Sequence, residues 1–435
     1  MLNLIVRPIL RAGFFFVIES CTFAAMRTNE NPTEICIDNY DYGLAEDRVA
    51  KYPLDKRDDS KLLIYHNEQL SHSKFNKIDD FLPQNSLLLF NETKVIQARL
   101  QFFKESGAKI EIFCLEAVKP VSEIQLAFQQ TSGVIWKCFI GNAKKWKSGK
   151  LKKLVSTPDS EVEFYAERVG MIGEAHLVEF SWSPSNLPFS ELLELSGLVP
   201  LPPYLNREAE KSDKERYQTI YAQHNGSVAA PTAGLHFTDE VFSKLDAKNI
   251  QKDKVVLHVG AGTFKPVIAK YIGDHEMHTE KIIIQKSTIE NLLNESNEHI
   301  IVVGTTTVRT LESLYWFGVK LIRDGNTEFS INQWDPYQEK YQLKQSVEEV
   351  LNSILNYMKK EGLEELHGET QLMIAPGYNF KIADILITNF HQPKSTLLLL
   401  VSSFIGESWK TAYQYALDQD FRFLSYGDSC LFFKQ

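Results

Sequence analysis

Residues 300–316 read IIVVGTTTVRTLESLYW, and this stretch decides the fold class. Ile300 to Val303 is a run of four branched apolar residues, which predicts a buried strand. Thr306 to Trp316 follows a glycine turn and predicts a helix. A strand that runs directly into a helix is typical of α/β domains, so we expect an α/β protein.

Other segments of the chain repeat this alternation. Strands are predicted at residues 60–65, 86–90 and 382–388, and apolar residues at helical spacing predict a helix over Val347–Glu361. Leu87 to Phe90 is continuously apolar, which is typical of a strand buried on both faces.

Residues 95–182 have a different pattern of apolar and polar residues. Short β-rich runs separated by glycines and polar clusters lie at 98–103, 109–116, 124–129, 134–140, 161–168 and 174–182. Closely spaced strands without intervening helices indicate a small β-barrel or sandwich. We therefore expect a β domain inserted into the larger α/β domain.

The charge of the chain is unevenly distributed. The 435 residues include 47 basic and 56 acidic side chains, a net charge of −9, which alone argues against a nucleic-acid partner. However, seven lysines and no acid lie between Lys137 and Lys153, and Trp146 lies among them. Lysines beside an aromatic ring suit phosphate contact and base stacking, whereas the alternative is a solvated turn.

Cysteines and apolar stretches indicate the compartment. Five cysteines without a CxxC pair make a disulfide framework or an ordinary zinc site improbable and favour a reduced, cytoplasmic protein. Phe14–Ile18 is ended early by Glu19, so we expect residues 1–26 to be an extension before a start at Met26, outside the fold. Thr396–Ile405 is too short to cross a membrane and predicts a buried strand or core helix.

Two segments rich in small residues are candidates for ligand contact. Residues 226–238, GSVAAPTAGLHFT, place His236 just before a predicted helix cap at Thr238. The alternative is a tight loop whose histidine packs in the core. Residues 257–263, LHVGAGT, run from a strand into Gly-x-Gly, but Lys265 and Pro266 do not fit a full dinucleotide fingerprint.

Three further segments carry polar chemistry. If residues 276–280 form a strand, Glu276, His278 and Glu280 share one face, which suits acid–base chemistry better than a metal. The turn at 304–309 offers free N–H groups, a helix dipole and Arg309 to an anion. Residues 385–396 again run from a strand into a polar loop that contains His391.

Together these motifs resemble the S-adenosylmethionine:tRNA ribosyltransferase-isomerase family of queuosine biosynthesis. The matching stretches occur in the family's order at 87–100, 200–207, 226–238, 257–267, 277–280, 304–313, 375–378, 388–402 and 426–432. Three features depart from the family: residues 1–26, a longer segment at about 320–365, and Gln392, where the family usually has leucine.

The resemblance implies a fold and a reaction. The expected architecture is a discontinuous α/β barrel-like domain (27–94 and 183–435) with an inserted antiparallel β-barrel (95–182). S-adenosylmethionine would be consumed as a ribosyl donor to 7-aminomethyl-7-deazaguanine at the tRNA wobble position. The products would be epoxyqueuosine, adenine and methionine, formed without a metal or other cofactor by a monomer that has no membrane contact.

The resemblance also assigns site residues. The acid and base candidates are His236, His258, His278, Glu280 and His391. The residues expected to hold S-adenosylmethionine are Gly260, Gly262, Thr263, Thr305, Thr306, Thr307 and Arg309. The lysine run, rather than the resemblance, supplies the residues expected to contact tRNA, which are Lys144, Lys145, Trp146 and Lys147.

Two other functions are compatible with parts of the sequence. A Rossmann-type methyltransferase would use the glycine loop at 257–263, but His258 stands where an acidic residue is expected. A non-catalytic RNA-binding protein would use the lysine run, but it would not need the His/Thr/Arg loops.

Overall fold

The computed structural model describes residues 31–157, 160–260, 266–342 and 345–435. The predicted extension at 1–26 lies outside this part of the chain. The strands of the described residues are β1 (Lys61–His66), β2 (Gln69–Lys74), β3 (Ser86–Asn91), β4 (Thr93–Val95), β5 (Arg99–Phe103), β6 (Lys109–Lys119), β7 (Gly133–Gly141), β8 (Leu151–Ser156), β9 (Glu161–Ile172), β10 (Ala175–Ser183), β11 (Gly197–Leu198), β12 (His224–Ser227), β13 (Gln251–His258), β14 (Glu280–Gln285), β15 (His299–Val303), β16 (Ser330–Ile331), β17 (Glu365–Thr370), β18 (Ile385–Asn389) and β19 (Ser429–Phe433).

The α-helices follow the same chain order. They are α1 (Ile124–Phe128), α2 (Phe189–Ser196), α3 (Asp213–Arg216), α4 (Asp239–Ala247), α5 (Lys286–Leu292), α6 (Thr305–Asp324), α7 (Val347–Glu361), α8 (Thr396–Ile405) and α9 (Ser408–Asp418). The fold is mixed α/β, as the sequence predicts.

A ten-stranded sheet forms the larger part of the molecule. Its strand order is β16-β17-β14-β13-β3-β15-β18-β19-β1-β2. The four central strands β13, β3, β15 and β18 are mutually parallel. Their carboxyl ends therefore lie at one edge, where crevices for ligands form in such sheets.

The central strands are covered on both faces, as predicted for residues 87–90. Leu87 and Leu89 belong to the core that includes α6, whereas Leu88 and Phe90 belong to the core that includes α4. Successive side chains of a strand point to opposite faces, so the continuous apolar run fills both layers.

The segment predicted to be a β domain forms a second, antiparallel sheet. Its strand order is β11-β5-β6-β7-β10-β9-β8, and the sheet curls so that β8 approaches β5. This sheet has its own aromatic core, which includes Trp136, Phe164 and Phe180.

One predicted strand in this segment is wrong. Residues 124–129 form the short helix α1, because the Glu123 carboxylate caps the backbone N–H groups of Gln125 and Leu126. Ala127 and Phe128 are buried against the core. A five-residue segment with four apolar side chains does not by itself distinguish a strand from a helix.

The helices agree with their predictions more closely. Helix α7 has the predicted bounds and begins with a capping box between Ser346 and Glu349. It packs on α6 where a Cβ added at Gly318 would lie 2.5 Å from Cγ1 of Val350. The segment at 320–365 therefore packs into the main core. Helix α8 decides between the two alternatives for 396–405 in favour of a core helix.

Two observations bear on the expected compartment. The cysteines that the structure describes, Cys36, Cys114, Cys138 and Cys430, are free thiols. Within the described ranges, no helix combines the length and apolar character needed to cross a membrane.

Candidate active site

The polar loops singled out in the sequence follow the carboxyl ends of the central parallel strands. Helix α6 begins directly after β15, and His391 lies two residues beyond the end of β18. Val259 and Gly260 follow β13. The parallel register therefore brings three separate motifs to one edge of the sheet.

A cleft of about 700 Å³ opens at this edge. Backbone and side chains of several motifs line it, including Tyr204, Ala229–Ala233, Val259, Gly304, Thr305, Thr306, Thr388, Asn389, His391, Gln392, Ser395 and Ser425. Gln392, the departure from the family pattern, is thus a wall residue of the cleft.

The amino terminus of α6 faces the cleft. Gly304 adopts φ +86°, a conformation that favours glycine, and no side chain in the described part of the chain caps the helix. The first intrahelical bond runs from the Val308 N–H to the Gly304 carbonyl at 3.2 Å. The N–H groups of Thr305, Thr306 and Thr307 therefore have no intrahelical acceptor, and the helix dipole adds positive potential.

Two of the three threonine hydroxyls have different roles. Thr307 Oγ1 donates to the Val303 carbonyl at 2.6 Å and faces the helix. Thr306 Oγ1 is buried, lines the cleft and has no hydrogen-bond partner among the described residues. Thr306 thus offers a hydroxyl group beside the free N–H groups, which suits a carboxylate or phosphate.

His391 is the histidine that lines this cleft. Its Nε2 atom is 2.9 Å from Thr388 Oγ1, and its backbone N–H donates to Tyr413 Oη at 3.1 Å. Tyr42 Oη donates to its carbonyl, so backbone contacts on both sides fix its position. Burial lowers the pKa of His391 to about 3, so the imidazole is neutral at pH 7 and can accept a proton.

His236 lies behind the cleft wall. Its Nε2 atom accepts a hydrogen bond from Asn389 Nδ2 at 3.1 Å, while Asn389 Oδ1 accepts from Thr232 Oγ1 at 2.9 Å. Its Nδ1 atom is 2.8 Å from Ser60 Oγ. Burial, followed by the charges of Arg422 and Arg57, lowers the pKa of His236 to about 4.

The loop of His236 folds as the sequence predicts. Thr238 caps α4 by accepting from the Val241 N–H at 3.2 Å. His236 belongs to the preceding 3₁₀ turn, Thr232–His236, and its ring lies 5.1 Å from that of Phe75. His236 is therefore packed in the core, as one of the two alternatives predicts. It is also connected to the cleft through its hydrogen bond with Asn389.

His258 lies away from the cleft. Its Nδ1 atom is 3.0 Å from Thr93 Oγ1, and a Cβ added at Gly226 would lie 2.7 Å from its ring. Its Nε2 atom is buried without a partner among the described residues. Burial lowers the pKa of His258 to about 4; the His224 charge acts in the same direction and that of Glu123 opposes it.

Glu280 and Arg309 form a buried ion pair. Arg309 Nη1 donates to Glu280 Oε2, and Arg309 Nε donates to the Leu372 carbonyl at 3.1 Å. The Gly260 N–H donates to Glu280 Oε1 at 3.4 Å. Neither side chain lines the cleft. Arg309 is thus paired with Glu280 through Nη1, whereas its Nη2 atom has no hydrogen-bond partner among the described residues. That Arg309 shares an anion with the threonine turn stays a prediction.

The predicted Glu276–His278–Glu280 face is corrected. β14 begins only at Glu280, so residues 276 and 278 precede the strand. Glu276 and His278 are exposed whereas Glu280 is buried, so the three side chains do not share one environment. Gly262 and Thr263, two residues predicted to contact S-adenosylmethionine, lie outside the described residues.

The lysine run is divided by the structure. Lys144, Lys145 and Lys147 are exposed and form no ion pair with another described residue. Trp146 is fully buried in the core of the antiparallel sheet, and its Nε1 donates to the Gly149 carbonyl at 2.8 Å. The predicted base-stacking role of Trp146 is therefore wrong for this conformation, because its ring faces are packed.

Some site residues were not singled out in the sequence. Asn389 joins the cleft to His236, yet it lay inside a quoted motif without an assigned role. Ser60 and Arg57 come from residues 57–60, where the only sequence signal was the start of a strand. In the described part of the chain, no group of three or more His, Cys, Asp or Glu side chains could hold a metal ion.

An open crevice at the carboxyl edge of a parallel sheet is typical of α/β enzymes, and the helix amino terminus in its wall suits a carboxylate or phosphate group of a ligand. The model of the queuosine biosynthesis protein family matches residues 37–432. The chain therefore belongs to the queuosine biosynthesis protein family, which confirms the resemblance inferred from its motifs.

Two relatives with the same printed name agree with this assignment. A Trichlorobacter lovleyi protein named S-adenosylmethionine:tRNA ribosyltransferase-isomerase is 35% identical over 401 residues, 91% of this chain and 99% of that protein. A Rickettsia bellii protein of the same name is 36% identical over 412 residues, 92% of this chain and 99% of its own. The crystal structure of S-adenosylmethionine tRNA ribosyltransferase from Thermotoga maritima is 28% identical, covers 90% of this chain and 99% of that chain, and has a TM-score of 0.42.

Proposed function

We propose that the chain transfers the ribosyl group of S-adenosylmethionine to 7-aminomethyl-7-deazaguanine at the wobble position of tRNA and isomerises it. The products are epoxyqueuosine in tRNA, free adenine and free methionine. The family and the shared name of its curated relatives support this reaction. S-adenosylmethionine is consumed as a substrate.

The observation that carries the proposal is the uncapped amino terminus of α6 in the wall of the cleft. Three N–H groups without intrahelical acceptors and the Thr306 hydroxyl offer donors to one carboxylate. The methionine part of S-adenosylmethionine has such a carboxylate. Its position at Thr305–Thr307 would place the sulfonium and ribose in the remaining space of the cleft.

The chemistry then needs a base, an acid and a dry site. The sulfonium acidifies the ribose 5′ methylene, so an unprotonated base must remove that proton. His391 lies in the cleft wall with a neutral imidazole, and we assign it this role. Attack on the ribosyl group is a separate step that requires the aminomethyl group to be neutral, and adenine departs more readily after it gains a proton. His236 is a positioning residue through Asn389.

The tRNA would extend from the cleft across the antiparallel sheet. Lys144, Lys145 and Lys147 are exposed there, and they suit contacts with the phosphate backbone. We further propose the domain division expected from the sequence, a discontinuous barrel-like α/β domain (27–94 and 183–435) and an inserted antiparallel barrel (95–182). Separate cores in the two sheets support this division. A monomeric state and a cytoplasmic location complete the proposal.

Product analysis tests this function. The protein is incubated with S-adenosylmethionine and tRNA that carries the aminomethyl base, and the digested nucleosides are analysed by mass spectrometry. We expect epoxyqueuosine with equal amounts of adenine and methionine, and no product with tRNA that carries guanine at that position. S-adenosylhomocysteine as the product would instead indicate a methyltransferase, and RNA binding without turnover would indicate a non-catalytic protein.

A further inference from the structure

A second pocket opens beside the active-site cleft, and two arginines line it. Arg57 and Arg216 line this small pocket together with His236, Ser60 and Tyr426. Ser425 lines both the pocket and the cleft. The two cavities are therefore neighbours that share a wall.

The two guanidinium groups are held together by a reciprocal arrangement. Arg57 Nη1 donates to the Gln218 carbonyl at 3.0 Å, and Arg216 Nη1 donates to the Asp55 carbonyl at 3.1 Å. Each arginine thus binds the backbone segment that carries the other. Burial, followed by the charge of Arg216, lowers the pKa of Arg57.

These positive charges lack a compensating carboxylate. No residue that lines the pocket is acidic, and neither arginine forms an ion pair within the described part of the chain. Arg422 adds a third cation whose Nη2 donates to the Tyr52 and Tyr426 carbonyls at 2.7 and 2.6 Å. Like charges held close together in a partly buried site repel each other, and a bound anion would offset that repulsion.

Two carboxylates next to the pocket lining are already occupied. Asp213 accepts from both terminal nitrogens of Arg207 at 2.7 Å and from Tyr426 Oη at 2.8 Å. Asp428 accepts from the backbone N–H groups of Lys61 and Arg422 at 2.9 and 2.8 Å. Neither carboxylate is therefore available to neutralise Arg57 or Arg216.

We propose that the Arg57–Arg216 pocket binds a phosphate group of the tRNA backbone next to the modified base. This inference rests on the proposed function, because it takes the base to enter the neighbouring cleft. Each terminal guanidinium nitrogen already donates one hydrogen bond to a backbone carbonyl, that of Gln218 or Glu215 for Arg57 and that of Asp55 or Leu54 for Arg216. Each of these nitrogens keeps a second N–H, which a phosphate oxygen can accept. His236 in the pocket wall contacts Asn389 of the cleft, so a phosphate bound here lies beside the reacting base.

The methionine carboxylate of S-adenosylmethionine is a second anionic group that two arginines could bind. The test distinguishes this carboxylate from a tRNA phosphate. The variants Arg57→Gln and Arg216→Gln are compared with Lys211→Gln, which removes the same charge from a nearby exposed position outside the pocket. We measure the Kd for tRNA over a range of salt concentrations and the Kd for S-adenosylmethionine.

The expected result is tRNA binding about 10-fold weaker for each arginine variant, with a salt dependence that is lower by about one ion contact. S-adenosylmethionine binding stays unchanged, and Lys211→Gln binds tRNA like the parent protein. Unchanged tRNA affinity in folded variants overturns the proposal, as does a selective loss of S-adenosylmethionine binding. Product formation by the parent protein tests the proposed function separately.

A second measurement needs no variant and covers the case in which the arginine variants fail to fold. The imidazole ¹⁵N signals of His236 are followed while the parent protein binds anticodon stem-loop RNA. We expect them to shift, and replacement of one backbone phosphate by neutral methylphosphonate should abolish the shift. A His236 signal that responds equally to all RNAs, or to none, overturns the proposal.

Discussion

Asn389 Nδ2 donates a hydrogen bond to His236 Nε2 at 3.1 Å, and this contact joins two motifs that lie 153 residues apart. Because Nε2 accepts, Nδ1 carries the proton and faces Ser60 Oγ and the backbone of Arg57. The contact links the active-site cleft, lined by Asn389, to the arginine pocket, lined by His236. The two cavities can therefore hold two parts of one substrate in a fixed relation.

Replacement of His391 tests the assignment of the general base. His391→Asn should lower kcat by about 10²- to 10⁴-fold, the usual contribution of a positioned acid or base. The Kd for S-adenosylmethionine should change little. Single-turnover kinetics check this, and His72→Asn on the exposed strand β2 is the control. Turnover within twofold of the parent protein would exclude His391 as the base.

Removal of the Thr306 hydroxyl tests the carboxylate site. Thr306→Val should weaken S-adenosylmethionine binding by about 10-fold or more, because a hydrogen bond to a charged group is lost. Stability should hardly change, since this hydroxyl has no partner among the described residues.

Thr307→Val is the matched comparison for Thr306. Its hydroxyl bonds the Val303 carbonyl, so this variant should lose about 1 kcal/mol of stability and keep its affinity for S-adenosylmethionine. Calorimetric titration and urea unfolding measure both quantities. Equal affinities in the two variants would place the carboxylate elsewhere.

The Glu280–Arg309 pair should behave as a structural ion pair. Glu280→Gln leaves the Arg309 charge buried without its counter-ion, so we expect a loss of about 3–5 kcal/mol in the free energy of unfolding. The double variant Glu280→Gln/Arg309→Met should recover part of that loss. A fall in kcat at unchanged stability would instead restore the acid–base role predicted from the sequence.

The exposed lysines should contribute to tRNA binding through charge alone. Replacement of Lys144, Lys145 and Lys147 by Gln should weaken tRNA binding and flatten its salt dependence by up to about three ion contacts. A triple replacement of Lys359, Lys360 and Lys410, exposed lysines of α7 and α9, removes the same charge as a control. If both triple variants have the same salt dependence, the run at 144–147 is only a solvated turn.

Acid should destabilise the protein through its buried histidines. The pKa values of His236, His258 and His391 are lowered from 6.5 to about 4, 4 and 3. Below pH 6.5 the unfolded chain binds protons at these residues and the folded chain does not, so stability falls as the pH falls toward 3. The slope is up to about 1.4 kcal/mol per pH unit for each histidine.

Urea unfolding between pH 7.5 and 4 measures this effect. His391→Gln should show a shallower decline than the parent protein, because one of the three groups no longer titrates. His72→Gln should keep the parent slope, since that histidine is exposed. Identical slopes for the parent protein and His391→Gln would mean that His391 is charged in the folded state.

Local pattern determined much of this protein. Hydrophobic period and capping chemistry are local properties, so the sequence alone predicts several elements. These are the strand and helix at 300–316, the helix Val347–Glu361, the helix cap at Thr238 and the separate β segment. The ordered motifs also identified the family. The short helix α1 differs from the predicted strand because four apolar residues among five are too few to define a period.

Only the tertiary structure decided which motifs meet. Parallel register places the ends of β15 and β18 together, so His391 and Thr306 share a cleft, whereas His258 and His278 lie outside its walls. Trp146 is buried in a core, and Arg309 forms an ion pair with Glu280. Neither fact could be predicted from the spacing of these residues along the chain. Partner choice in a folded protein depends on distance and burial, and these arise from contacts between residues far apart in sequence.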